Sequence, residues 1–163
     1  MHTEAQILAL TFDQTRNLTK FYSSQLKEFD STRVFTVEGK PLNSLYWINA
    51  HLIWAENFLI LKGTRGNPYE LDWLNSFGFG TDPKKANGPE FSEIIKVQGE
   101  VHARAMQHLD SLSAGDLNKQ NALGFKFGGQ DTVRYILMHA IRHEGSHAGH
   151  IGWLCKMFCY VLS

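Results

Sequence analysis

At 163 residues, 43% hydrophobic and 20% charged, the chain has the size and composition of one globular domain with a substantial core. Its 16 basic and 16 acidic residues cancel, which leaves no electrostatic footprint for nucleic acid and no polybasic membrane anchor. No apolar run reaches the ~18 residues of a membrane helix. Glu4, Asp13, Arg16 and Lys20 interrupt the opening segment, so no secretory leader is expected and the reading is a cytoplasmic protein.

From Thr3 to Phe29 the apolar-patterned positions Ile7, Leu8, Phe12, Thr15, Leu18, Tyr22, Leu26 and Phe29 recur at helical spacing without Gly or Pro, which predicts a first long helix. Asp30-Ser31-Thr32 ends it, and the piece to Pro41 reads as a connector with one short extended run, Arg33 to Val37. A second helix is expected from Pro41 or Leu42, since proline suits the first turn. Leu45, Ile48, Leu52, Ala55 and Leu59 form its apolar face, with His51 at the edge. The helix stops before the breaker cluster Gly63-Thr64-Arg65-Gly66-Asn67-Pro68.

Residues 63–90 hold five glycines and three prolines, yet also Tyr69, Trp73, Phe77 and Phe79. A connector this long is usually functional or disordered, and four aromatics argue for order. A short helical turn is expected around Tyr69–Phe77, folded across one end of the domain and shaping a substrate pocket. A third helix runs from about Pro89 to Leu112 with Phe91, Ile95, Gln98, His102, Ala105 and Leu109 on one side. Ser113 to Gln130 is a second long connector, after which Asp131 or Thr132 can cap a fourth helix running to about Val161.

Four amphipathic helices and no convincing strand pattern make the expected fold all-α: a single domain over 1–163, an antiparallel four-helix bundle with long connectors between helices 2 and 3 and between 3 and 4. The last stretch, from Ile151 to Leu162, is apolar nearly all round and must bury more than one face, under loops or a second subunit. A homodimer is the expected form. Cys155 and Cys159 fall one turn apart on that helix, where a disulfide would close almost no loop, so both are read as free thiols.

The chemistry concentrates in Met138 to His150, which holds four of the eight histidines. At about 100° per residue, His139, His147 and His150 all fall within ~40° of His143, so the four form one stripe. His139 and His150 are about 16 Å apart along the axis, too far to share an ion. His143 and His147, one turn apart, can aim ring nitrogens at one point, as in helical zinc motifs. A third ligand must then come from another helix, where His51 and His102 stand on or beside apolar faces. Three histidines would leave open positions on the ion, the layout of a catalytic site. A histidine on an apolar face is otherwise a hydrogen-bonded core group, the reading that competes for His102; His2 and His108 are expected in solvent, and His139 and His150 as supporting groups.

His143-Glu144 and His147 also spell the zincin signature, whose glutamate acts as general base. The extended zincin form requires glycine at position 150 and histidine at position 153, where this chain has His150 and Trp153. A zincin protease is therefore rejected, while Glu144 stays as the catalytic base candidate, with Glu56 the other carboxylate in reach. Neither cysteine has nucleophile context, and Gly78-Phe79-Gly80 lacks the Lys-Ser/Thr of a phosphate loop.

The run His139, His143, His147, Ala148, Gly149, His150, Ile151 closing the last helix, together with His51 in Leu45-Tyr46-Trp47-Ile48-Asn49-Ala50-His51-Leu52, resembles the DinB/YfiT-like proteins. Ala148 and His150 depart from the arginine and glutamine often found in that family. The resemblance implies a bundle that holds a divalent metal through His51, His143 and His147, Zn or Ni before Fe or Mn, commonly as a dimer. It implies a metal-dependent enzyme of transferase or hydrolase type, some relatives using low-molecular-weight thiols on small-molecule substrates. The alternative is a non-catalytic metal-binding or small-ligand-binding dimeric bundle.

Overall fold

The structure is a computed structural model that describes residues 2–26 and 28–162, with side chains described as far as Phe158. Cys159 therefore lies outside the described side chains; Cys155 places its Sγ 3.3 Å from the Tyr22 carbonyl. Helix dominates. The elements are α1 (Glu4–Ser24), a two-residue hairpin β1 (Thr36–Val37) and β2 (Lys40–Pro41), α2 (Leu45–Ala55), α3 (Phe91–Asp110), a single turn α4 (Ala114–Leu117) and α5 (Val133–Leu162). Among the described residues no helix is long and apolar enough to cross a membrane.

Local chemistry sets most boundaries. Thr3 and Gln6 close a capping box at the start of α1, each side chain accepting from the other's backbone N–H. The expected start of the second helix at Pro41 is corrected. Pro41 pairs with Thr36 across a turn that puts Glu38 and Gly39 at φ 50° and 74°, and Ser44 caps the helix by accepting from the Trp47 N–H. Neither side chain expected to cap the last helix does so: Thr132 Oγ1 has no partner, and Asp131 accepts from Gln120. The Val133 N–H is held instead by the Lys119 carbonyl, at 2.8 Å.

α2 does not end as an α-helix. From Glu56 to Lys62 it continues as a π-helix, and the Gly63 N–H bonds the Phe58 carbonyl five residues back at 2.9 Å. The 63–90 connector then carries 3₁₀ turns at Asp72–Phe77 and Pro83–Lys85. The first of these falls where a helical turn was expected.

Paired residues give the run directions. Arg16 meets Glu56 and Ser23 meets Asn49, so α1 runs opposite to α2. His51 meets His143 while Gly63 lies against Ile136, so α2 runs opposite to α5. Tyr46 meets Pro89, Asn49 meets Gln98 and Glu56 meets His102, so α2 and α3 run parallel. Glu4 meets Arg134 and Thr19 meets Glu144, so α1 and α5 also run parallel. This corrects an all-antiparallel reading. Two parallel neighbours cannot be joined by a tight turn, and the long 63–90 segment brings the chain back.

The face that α1 buries follows its apolar residues only in part: Phe12 is buried, and Leu8 and Tyr22 pack against the core, as the spacing predicts. Ala5, Ala9, Phe12, Arg16 and Thr19 are buried, whereas Ile7 and Leu18 are 53% and 43% exposed. Beside it, Leu45, Ile48, Leu52, Ile53, Ile60, Leu61, Ile94 and Val101 form a continuous core with Phe77 from the connector.

Gly63 is required where π-helix meets connector. A Cβ there would lie 2.2 Å from the Leu59 carbonyl oxygen and 2.4 Å from Ile136 Cδ1, and the first of these is backbone that cannot swing aside. Gly63→Ala is expected to destabilise the fold by about 1–3 kcal/mol in urea melts.

Candidate metal centre

His51 sits midway along α2; His143 and His147 are one turn apart on α5. The opposed run of the two helices brings His51 Nε2 to 3.1 Å from His143 Nε2. One ring nitrogen from each of the three lies within 4.8 Å of the others, the group among the described residues able to hold a metal ion. Zn–N bonds of about 2.0–2.1 Å set two ligand nitrogens roughly 3.3 Å apart at tetrahedral angles, so the group needs small adjustments to close on an ion.

His51 is the most rigidly held. Its ring lies between Trp47, 4.6 Å away and 11° from parallel, and Trp54, 5.6 Å away and 20° from parallel. Its Nδ1 donates to the Phe77 carbonyl at 2.6 Å, which fixes the tautomer and leaves the Nε2 lone pair for the shared point. Phe77 ends the 3₁₀ turn of the connector, so that loop orients a metal-competent side chain.

Burial holds all three rings neutral. It pushes His51 below its ordinary value. It takes His143 down to about 4, with help from His51 and His139, and His147 down to about 3, with help from His143 and His51. Neutral imidazoles are the form a divalent ion binds, so donor type, protonation state and spacing all fit such an ion.

His139 and His150 flank the triad without joining it. His139 stacks on Phe127 at 4.5 Å, its Nδ1 accepting from Arg142 at 2.8 Å; His150 approaches His147 from the exposed side. His102 is a core group: its two nitrogens face Glu56 at 2.8 Å and Asp13 at 3.0 Å. His108 is not in solvent as expected but half-buried, 2.7 Å from the Thr64 hydroxyl and beneath Gly66. His2 is exposed.

Glu144 follows His143 by one residue, and the ~100° step turns it toward α1. There it accepts from the Thr19 hydroxyl at 2.5 Å and pairs with Arg16 at 3.0 Å. Burial pushes its carboxyl up, against the pull of Arg16 and Thr19. Arg16, fully buried, also holds Glu56 at 2.8 Å, and Glu56 in turn holds His102. Both carboxylates expected as base candidates are thus engaged in one interior network.

On the His51 and His143 side of the triad lies a cavity of ≈ 500 Å³, lined by these two and His139 and by Trp54, Phe58, Leu59, Phe79, Phe125, Lys126 and Phe127. The 63–90 connector supplies Phe79, 92% exposed at the rim, and the 113–130 connector supplies Phe125, Lys126 and Phe127. The second group went unread in the sequence. Its signal was two aromatics between glycines, in Gly124-Phe125-Lys126-Phe127-Gly128, where Phe127 and Gln130 close a tight turn.

With this geometry in hand, the chain matches the family model of the DinB superfamily over residues 11–151. It belongs to the DinB superfamily. The matched region contains the whole triad and the cavity above it. No curated protein matches the chain. At the two positions that depart from the family's frequent pattern, Ala148 is fully buried and His150 stands beside His147.

In the unfolded chain these histidines titrate near the ordinary value of 6.5, whereas in the folded chain His143 is pushed down to about 4 and His147 to about 3. The unfolded state therefore binds more protons across that window, so stability of the chelator-treated protein is lost as pH falls through it. The urea midpoint is expected to drop from pH 7 to pH 4, and His143→Gln combined with His147→Gln to flatten the drop. Arg16→Ala strands two buried carboxylates and is expected to cost about 3–5 kcal/mol in the same melts at pH 7.

Proposed function

We propose that this DinB-superfamily chain forms a four-helix bundle whose His51, His143 and His147 hold one divalent transition metal, zinc or nickel before iron or manganese. We read it as a metal-dependent enzyme of transferase or hydrolase type acting on a small molecule, with a low-molecular-weight thiol as a candidate co-substrate. One observation carries this reading: three neutral imidazoles converge, and two of them, His51 and His143, line a cavity large enough for a small molecule. When bound, such an ion supplies Lewis acidity and lowers the pKa of a water or thiol placed on it.

The chain's own residues supply the rest. Trp47 and Trp54 hold His51 between them, and the Phe77 carbonyl orients it. The aromatic walls give the cavity beside His51 and His143 a mainly apolar lining. Glu144 is proposed as a positioning residue: through Arg16 it fixes the rotation of α5 that turns His143 and His147 toward α2. Ile7, Leu10, Leu18 and Phe21, exposed along one side of α1, support a homodimer in which a second copy covers them.

A second reading, metal binding without turnover, is favoured by one observation. Among the described residues no Asp or Glu lines the cavity, and both interior base candidates are tied to Arg16.

Zinc titrated calorimetrically into untagged, chelator-treated protein is expected to bind at one ion per chain. His51→Ala, His143→Ala and His147→Ala should each weaken it by more than about 100-fold, beyond the effect of an outer-sphere change. Binding that survives all three substitutions sinks the proposal. Thiol-transfer assays with a panel of electrophiles on the metal-loaded protein then separate the enzyme from the binding module.

A further inference from the structure

We infer that the cavity over the triad takes a flat, mainly apolar small molecule of one or two rings bearing a single acidic group. Its ring system lies among the aromatic side chains and its polar end faces the histidines. The inference deepens the reading of the triad as a reaction centre and rests on it for the placing of that polar end.

Size comes first. At ≈ 500 Å³ the cavity lies within the roughly 300–1,000 Å³ of small-molecule sites and is too small for a folded partner. Shape comes next. Along α2 the rings of Trp47, His51, Trp54 and Phe58 form a ladder with centroid steps of 4.6, 5.6 and 4.9 Å, each pair within 20° of parallel. Because their faces are taken up by one another, the ladder rings that line the cavity, His51, Trp54 and Phe58, present their edges to it, and Phe125 closes on Phe58 from the opposite connector at 6.4 Å. A wall of ring edges favours the face of a flat guest through edge-to-face contacts.

Charge then narrows the class. Lys126 is the lining residue with a fixed charge, and no carboxylate opposes it. Arg142 does not line the cavity; its guanidinium contacts His139 from behind the wall. A guanidinium can only donate, so His139 Nδ1 must accept, and the ring proton sits on Nε2. Stacked on Phe127, His139 therefore offers a fixed N–H donor in the lining. One cation and one aligned donor suit one carboxylate or sulfonate. They do not suit the multiple charges of a nucleotide.

The test is a fluorescence titration of untagged, chelator-treated protein with anilinonaphthalene sulfonate, a ring-bearing anion, and with phenylnaphthylamine, its uncharged counterpart. We expect one saturable site per chain, with the anion bound about threefold more tightly, as one rim cation allows, and that preference lost in high salt. Phe125→Ala, at a 54% exposed position that puts little of the fold at risk, should weaken both probes by up to about tenfold. Lys126→Met should erase the preference for the anion while the uncharged probe still binds.

Trp153→Ala, on a separate apolar surface beside His150 and Leu154, should change neither. Absence of saturable binding, indifference to Phe125→Ala, or loss of the site on Trp153→Ala overturns the inference. Preference for the uncharged probe overturns its acidic group. Because the probes are read without metal, a chain that binds probe but no zinc refutes the metal reading and keeps this one. A chain that binds zinc but neither probe does the reverse.

Discussion

A guanidinium with no exposure to water organises this molecule. Arg16 projects from α1 into the interior, where an unpaired charge would cost several kcal/mol, and there it meets Glu56 and Glu144 at 2.8 and 3.0 Å. Glu56 passes the connection to His102 on α3, and Thr19 adds a second tie from α1 to Glu144. Four helices that could slide or rotate on apolar contacts alone are thus joined at one polar point, whose directional bonds tolerate little rotation. Glu144 is the residue after His143. Fixing its azimuth toward α1 points the histidine face of α5 at α2.

The candidate metal centre lies on the other side of that constraint. His51 is buried and twice stacked, and its Nδ1 proton is committed to the Phe77 carbonyl. His143 and His147 are half-buried, and His143 lines the cavity. The π-helix from Glu56 to Lys62 joins the two regions: it begins at the carboxylate held by Arg16 and places Phe58 in the cavity wall. A wider helical turn inserted there alters the azimuth of every later side chain on that segment. Each connector contributes one part, the Phe77 carbonyl and Phe79 from the first, Phe125 to Phe127 from the second.

Much of this was legible in the residues. The four long helices, the stop at Gly63, the turn near Tyr69–Phe77 and the 143/147 pair all follow from spacing and from Gly and Pro punctuation. The inward face of α1 followed only in part, through Phe12, Leu8 and Tyr22. Ile7 and Leu18 carry the apolar signal yet remain exposed, while Arg16 and Thr19 take core positions because Glu56 and Glu144 await them from other elements. Hydrophobic periodicity cannot register a buried charge whose partners lie 40 and 128 residues away. The opposite error occurred at His108: a histidine near a helix end reads as solvated, but Thr64 and Gly66 fold over it.

By itself, the sequence determined which residues could act: three imidazoles at helical positions, the breakers that bound the helices, and a net charge of zero. Those are properties of local spacing and composition. Tertiary structure decided what only long-range pairing can. It set the parallel course of α1 with α5 and of α2 with α3, and it set the approach of His51 to His143 across 92 residues. It also withdrew Glu144 into the Arg16 network and gathered rings from two connectors over the histidines. The reason is physical. A helix repeats every ~3.6 residues and so encodes its own faces, but which face meets which neighbour depends on packing and on charges that find their partners only when the chain closes.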